Sequence, residues 1–202
     1  MPTILITGTN RGIGLELTRQ YLADGWRIYA CCREPAKADD LNALAEASNG
    51  QITVHALDIS SDEQRQALAA ELSGVPLDIL FNNAGVYGNW DYQSFGQSNA
   101  ADWQRTLDIN VIAPMQMMEL FADNVAMSEQ KTIANMSSKM GSMADNGSGG
   151  SYIYRSSKAA LNAVCVSASK NLAERGIKVA VLHPGWVRTD MGGENGELSV
   201  EE

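Results

Sequence analysis

Tyr154 and Lys158 stand four residues apart in the stretch Ser151 to Lys158, SYIYRSSK. On a helix, positions i and i+4 share a face, which brings the lysine ammonium close enough to act on the phenol. A free phenol ionises near pH ~10 and exchanges protons poorly at neutrality, whereas an adjacent cation stabilises the phenolate and lowers that value. Tyr152 lies about 240° round the helix from Lys158 and points away from it; its own partner at i+3 is Arg155. Tyr154 is therefore the candidate acid or base, although Tyr-x-x-x-Lys as a bare string also fits an ordinary surface pair. Ser137 and Ser138 follow the apolar run KTIANM, at the carboxyl edge of a strand where ligands of open parallel sheets bind. A hydroxyl there can hold a carbonyl oxygen while Tyr154 protonates it. Taken alone, either serine fits a turn cap equally well.

A second constellation follows the first apolar run. Thr7 to Gly14, TGTNRGIG, carries Gly8, Gly12 and Gly14 and opens directly into a helical pattern. A helix N-terminus offers free N–H groups and partial positive charge, and small residues there let the backbone approach a pyrophosphate. Arg11 lies inside that turn and Arg33 just past the second strand run. The end of strand two faces the adenosine ribose in dinucleotide folds, where a carboxylate accepts from the 2'-hydroxyl and an arginine pairs with a 2'-phosphate. CCRE presents the arginine first and Glu34 one residue later, so NADP(H) is favoured over NAD(H). Either arginine alone also fits a solvated surface charge. Asp58 ends the third apolar run; Ser60 and Ser61 are better caps for the helix that follows, which leaves Asp58 for a ligand.

Holding these groups together requires alternating strands and helices. Short runs rich in branched residues predict strands at Thr3–Thr7, Trp26–Cys31, Ile52–Asp58, Leu77–Asn82, Lys131–Met136 and Lys178–His183. Amphipathic stretches predict helices at Gly12–Ala23, Lys37–Ala47, Asp62–Leu72, Ala101–Met127 and Tyr152–Glu174. Near-continuous apolar strands point to a sheet buried on both faces, hence an α/β, doubly wound parallel architecture. Two stretches break the pattern, Gly85–Ala100 and Lys139–Ser151, both rich in turn residues. Loops of that length more often serve function than architecture.

Composition bounds the function. A chain of 202 residues with 45% hydrophobic and 19% charged content suits one globular domain spanning 1–202. A net charge of -9 disfavours nucleic acid or an anionic membrane as partner, so a small molecule is expected. No apolar run is long enough for a membrane span, and Met1–Thr7 lacks the flank of a signal peptide, which predicts a cytoplasmic protein. Cys31 and Cys32 would face opposite sides of a strand, and with Cys165 they are expected as free thiols. His55 and His183 stand far apart with no ligand spacing, so no metal is expected.

Taken in order, TGTNRGIG, NNAG (Asn82–Gly85), DIN (Asp108–Asn110), NMSS, YRSSK and HPGWVRTD resemble the short-chain dehydrogenase/reductase superfamily from Thr3 to about Gly193. GTNRGIGLEL and SYIYRSSKAALN are most similar to the group of C-factor proteins and sniffer-type carbonyl reductases. The resemblance implies a Rossmann-like fold and NADPH-dependent reduction of a small ketone or aldehyde by hydride transfer. It makes Tyr154 the general acid, has Lys158 bind the ribose and lower the tyrosine pKa, and has Ser138, the second serine of its motif, orient the carbonyl. Asn110 would hold a proton-relay water, the plainer reading being a buried amide that satisfies backbone. The implied cofactor set is Gly8, Asn10, Arg11, Gly12, Ile13, Gly14, Arg33, Asp58 and Ile59, then Asn83, Ala84 and Gly85 on the adenosine side. Tyr154 and Lys158 join it, with Pro184, Gly185, Val187 and Thr189 at the nicotinamide end, where Pro184-Gly185 also fits a simple turn. For some relatives the resemblance implies a signalling protein with little turnover instead, and in general a homodimer or homotetramer. The family continues past HPG with a helix and a seventh strand, whereas this chain reaches ELSVEE at that point, so six strands are expected. Tyr87, Trp90, Tyr92 and Phe95, with Met140, Met143, Trp186 and Met191, suggest an apolar substrate pocket.

Overall fold

Branched and apolar residues set the strands, and the computed structural model describes all of residues 1–202. The strands are β1 (Thr3–Thr7), β2 (Arg27–Cys32), β3 (Ile52–Ala56), β4 (Ile79–Asn82), β5 (Thr132–Met136) and β6 (Lys178–Leu182). The helices are α1 (Gly12–Ala23), α2 (Asp39–Ala47), α3 (Asp62–Glu71), α4 (Ala100–Leu107), α5 (Ala113–Ala126) and α6 (Tyr152–Asn171). All six strands pair in parallel in the order β3-β2-β1-β4-β5-β6.

Period-2 alternation splits the core into two layers, one on each face of the sheet. Ile4 and Ile6 of β1 pack with Leu15 of α1 and Leu41 of α2. Leu5 points the other way, toward Leu68 of α3, Met117 and Phe121 of α5, and Leu161 of α6. Cys31 and Cys32 divide in the same manner, one in each layer, and all three cysteines are free. The doubly wound, Rossmann-like architecture expected from the strand pattern is the one observed.

The helix predicted over Ala101–Met127 is interrupted. Residues Asp108–Ile112 form a π turn between α4 and α5, with the Ala113 N–H bonding the Asp108 carbonyl five residues back. Pro114, which has no N–H, sits in the first turn of α5, so the α-type bond to residue 110 cannot form and the wider turn takes its place. Periodicity does not register one extra residue per turn, which is why the sequence read through it. Smaller differences concern ends. Pro35–Lys37 is a 3-10 turn ahead of α2, Ala173–Arg175 is another after α6, and β3 stops at Ala56, two residues short of Asp58. Ser61 caps α3 by accepting from Gln64 N. Beyond β6, residues 183–202 form no helix; Val187 and Leu198 make an isolated parallel bridge that folds the segment back on itself.

Candidate active site

The strand order reverses between β1 and β4, and at their carboxyl ends opens a cleft of about 450 Å³, the place where such sheets take ligands. Its floor is the turn after β1. Gly8 and Gly12 adopt φ of 74° and 55°, a backbone region open mainly to glycine. A methyl on Gly14 would overlap the Gly8 carbonyl oxygen. Asn83 braces this turn from behind, its amide donating to Thr7 O at 2.9 Å and Gly8 O at 3.1 Å, while Thr7 Oγ1 accepts from Asn83 N and Ala84 N. No side chain caps the start of α1, so its first N–H groups remain available to an anion.

Gly8, Asn10, Arg11, Gly12, Ile13 and Gly14 all line this cleft, as do Arg33, Asp58, Ile59, Asn83, Ala84 and Gly85. Arg33 is exposed on the cleft rim, and its neighbour Glu34 is engaged by Lys37. Arg11 instead pairs with Asp190 at 2.7 Å, a residue the sequence reading did not single out, across the cleft mouth. Asp58 accepts from Ser60 N and Ser60 Oγ. Burial raises its carboxyl, but those hydrogen bonds, with Arg33 and Arg105 nearby, outweigh burial and hold it below the ordinary carboxylate range.

A second, larger cleft of about 730 Å³ adjoins the first. Ile13, Ser137, Tyr154, Pro184, Thr189 and Met191 line both and form the boundary between them. Lys158 reaches only the smaller cleft; Ser138, Gly185 and Val187 reach only the larger. Tyr154 is 9% exposed, whereas Tyr152 is 40% exposed, lines neither cleft and lies beside Phe95. Geometry thus separates the two tyrosines as helical spacing predicts. Ser137 is committed elsewhere, its hydroxyl donating to Asn162 Oδ1 at 2.7 Å; Ser138 Oγ accepts from Met140 N at 3.1 Å and keeps its proton for another partner.

One expectation about the catalytic groups needs correction: the Tyr154 phenol is raised, not lowered. Lys158 is not the dominant influence on the phenol. Its Nζ lies 5.6 Å from the centre of the Tyr154 ring and donates to Met136 O at 2.9 Å. Burial raises the Tyr154 phenol above its ordinary value, partly countered by the Ser138 hydroxyl and reinforced by Tyr87. Burial also pushes the Lys158 ammonium down to about 8. Asn110, in the π turn, is 1% exposed and lines neither cleft. Its Oδ1 accepts from Val86 N, and its Nδ2 donates to Val86 O and Ser157 Oγ. With both Nδ2 hydrogens engaged and one bond to Oδ1, the amide braces the 85–100 loop against α6, in keeping with the plainer of its two readings.

Of the residues expected to form an apolar pocket, Tyr87, Trp90, Met140, Trp186 and Met191 line the larger cleft. Tyr92, Phe95 and Met143 do not, and Phe95 is 89% exposed. Lys139, Asp145, Arg155, His183 and Glu197 join the lining; nothing in their local sequence distinguishes them from surface charges. No group of His, Cys, Asp and Glu is placed to hold a metal ion, and no helix is long and apolar enough to cross a membrane.

Comparison with known proteins agrees with this geometry. C-signal of Myxococcus xanthus is 41% identical over 137 residues, 68% of this chain and 81% of that protein. Carbonyl reductase Sniffer of D. melanogaster superposes with a TM-score of 0.91 at 32% identity, covering 100% of this chain and 87% of that one. An NADPH-bound carbonyl reductase from chicken fatty liver gives the same TM-score, identity and coverage. Residues 2–198 match the short chain dehydrogenase family, and the chain is therefore a member of it, an NAD(P)-dependent short-chain oxidoreductase of the C-factor and carbonyl reductase group.

Proposed function

We propose that the protein reduces a ketone or aldehyde with NADPH, Tyr154 delivering the proton to the carbonyl oxygen. The observation that carries the reading is the position of Tyr154 in the wall common to both clefts, with Lys158 on the smaller side and Ser138 on the larger. The residues present suit the dinucleotide. The uncapped start of α1 and the glycine floor suit its pyrophosphate, and Arg33 suits a 2'-phosphate because Arg11 is already paired with Asp190. Pro184, Gly185, Val187 and Thr189 would enclose its nicotinamide end, and Lys158 would hold its ribose. Bound in the smaller cleft, NADPH supplies the hydride.

The chain's own groups do the rest. Ser138 Oγ donates to the carbonyl oxygen and orients it, Tyr154 gives up its proton as negative charge develops there, and the Lys158 ammonium stabilises the phenolate left behind. A phenol raised by burial remains protonated at neutral pH and so arrives ready as an acid. Tyr87, Trp90, Met140, Trp186 and Met191 give the larger cleft the apolar surface that a hydrophobic carbonyl compound requires. The names of the Sniffer and chicken proteins support the same reaction class.

The test is loss of nicotinamide absorbance with a panel of ketones, aldehydes and quinones. Tyr154→Phe should lower kcat roughly 10²- to 10⁴-fold while Tyr152→Phe matches the parent; equal effects in the two variants would sink the assignment. The likeness to C-signal favours a second reading, a dinucleotide-binding signalling protein with little turnover. Tight NADPH binding with no turnover on any panel member would select that reading.

A further inference from the structure

The helix that carries Tyr154 and Lys158 begins without a cap of its own. Ser151 occupies the N-cap position with φ 50°, in the left-handed region, and its side chain makes no capping bond. Its hydroxyl instead meets the Tyr87 hydroxyl at 2.8 Å. The first turn of a helix leaves N–H groups with no partner inside the helix, and an N-cap side chain ordinarily accepts from the third of them. In α6 the third N–H belongs to Tyr154, and it donates to the side-chain oxygen of Gln93, Oε1, at 3.2 Å. The first, from Tyr152, donates to the Gln93 backbone carbonyl at 3.3 Å. A residue of the 85–100 loop, distant in sequence, thus does what a local cap would do.

The same amide has a second hold. Gln93 Nε2 donates to the Tyr87 carbonyl at 2.9 Å. The Tyr87 ring lies 4.8 Å from that of Tyr154 and stacks at 3.9 Å on Trp90, which lines the larger cleft. Gln93 is 5% exposed, so water cannot readily replace it at either end. At Gly88, with φ 86°, an added methyl would lie 3.0 Å from Gln93 Nε2, Asp102 Oδ2 and Thr106 Oγ1, a tight fit. One buried side chain therefore ties the backbone of the proton donor to the aromatic wall of the substrate cleft.

We infer that Gln93 is a positioning residue for the reaction: it fixes Tyr154 through its backbone N–H and sets the Tyr87–Trp90 wall at a constant distance from the phenol. The inference rests on Tyr154 being the proton donor. Misplacement of a reacting group by about 1 Å can cost roughly a hundredfold in rate, which sets the scale of the effect.

The experiment compares Gln93→Met, Gln93→Glu and Tyr154→Phe with the parent for kcat, carbonyl-substrate KM, NADPH Kd and Tm. Gln93→Met keeps the length of the side chain and loses both holds. Its kcat should fall about ten- to hundredfold, its NADPH Kd staying within about twofold because Gln93 does not line the smaller cleft and the glycine turn that floors it is unaltered. Gln93→Glu retains an acceptor for Tyr154 N, favoured at a helix N-terminus, but loses the donor to Tyr87. It should recover most of kcat and show the defect in KM, a split that loss of fold stability alone does not produce. Parental kcat in Gln93→Met, or a lower Tm with unchanged kcat in the folded protein, would overturn the inference. If Gln93→Met does not fold, kcat and KM changing together in Gln93→Glu would overturn it equally. Parental turnover in Tyr154→Phe would instead remove the proton-donor reading beneath it, and Gln93 would lose its role for that separate reason.

Discussion

The two clefts that meet at Tyr154 are built on opposite plans. The smaller is made largely of backbone: a glycine turn with positive φ, an uncapped helix start, and Asn83 bonded into the turn behind them. The larger is made mainly of side chains on three irregular segments and the start of α6, with Trp90 and Trp186 63% and 51% exposed. A site for an invariant ligand can be held by backbone, which tolerates almost no variation. A site for variable ligands needs side chains that can change while the sheet beneath stays as it is.

That contrast can be broken by experiment. On the backbone side, Gly14→Ala places a methyl against the Gly8 carbonyl and the Asn83 amide, an overpacking worth ~1–3 kcal/mol. NADPH Kd, followed by titration, should rise by up to about a hundredfold; parental binding would show that the turn is not held by close packing.

Lys158→Met probes the boundary. Folded Lys158 releases its proton at about 8, below the ordinary 10.5, so between those values the unfolded chain binds more protons and stability from this site rises with pH. Below about 8 the penalty of burying the charge is present in full. The variant should therefore be more stable at neutral pH, by up to roughly 3 kcal/mol. The gain should fade as pH climbs from about 8 to 10.5. A Tm difference independent of pH would contradict this.

Arg33→Ala should weaken NADPH by roughly ten- to hundredfold and leave NADH unchanged, as expected for loss of one charge-assisted contact. Equal losses for both dinucleotides would deny Arg33 its part in cofactor choice. The smallest effect belongs to the larger cleft. Trp186→Ala should change carbonyl-substrate KM about two- to fivefold, in different directions for different substrates, with NADPH Kd constant. A change in NADPH Kd as large as that in KM would erase the distinction between the two halves.

The same division governs what the sequence revealed. Alternation in TILIT and the glycines of TGTNRGIG act over a few residues, so local pattern was enough to locate β1, the turn and α1. Spacing on α6 distinguished Tyr154 from Tyr152 for the same reason. Residues whose role depends on contacts between distant segments were less legible. Asn110 carries a recognisable motif, yet its amide is engaged by Val86 and Ser157. Asp190 and Gln93 gave no local signal, because their partners Arg11 and Tyr154 lie far along the chain. The behaviour of Lys158 also escaped: helical spacing placed it beside the phenol, but only its burial and the Met136 carbonyl show that desolvation dominates.

The strand order has a consequence for synthesis as well as for binding. β1 is the first of the six strands to be synthesised and one of the two central ones, flanked by β2 and β4. Its pairing with β2 can form early, since Thr3–Thr7 and Arg27–Cys32 are separated by a single helix. The opposite edge of β1 must wait for Ile79–Asn82, and until then a nascent chain displays an apolar strand edge, a template for pairing with other chains. The topology that creates the ligand crevice therefore also creates an interval during translation in which shielding by a chaperone would favour the native sheet over aggregation.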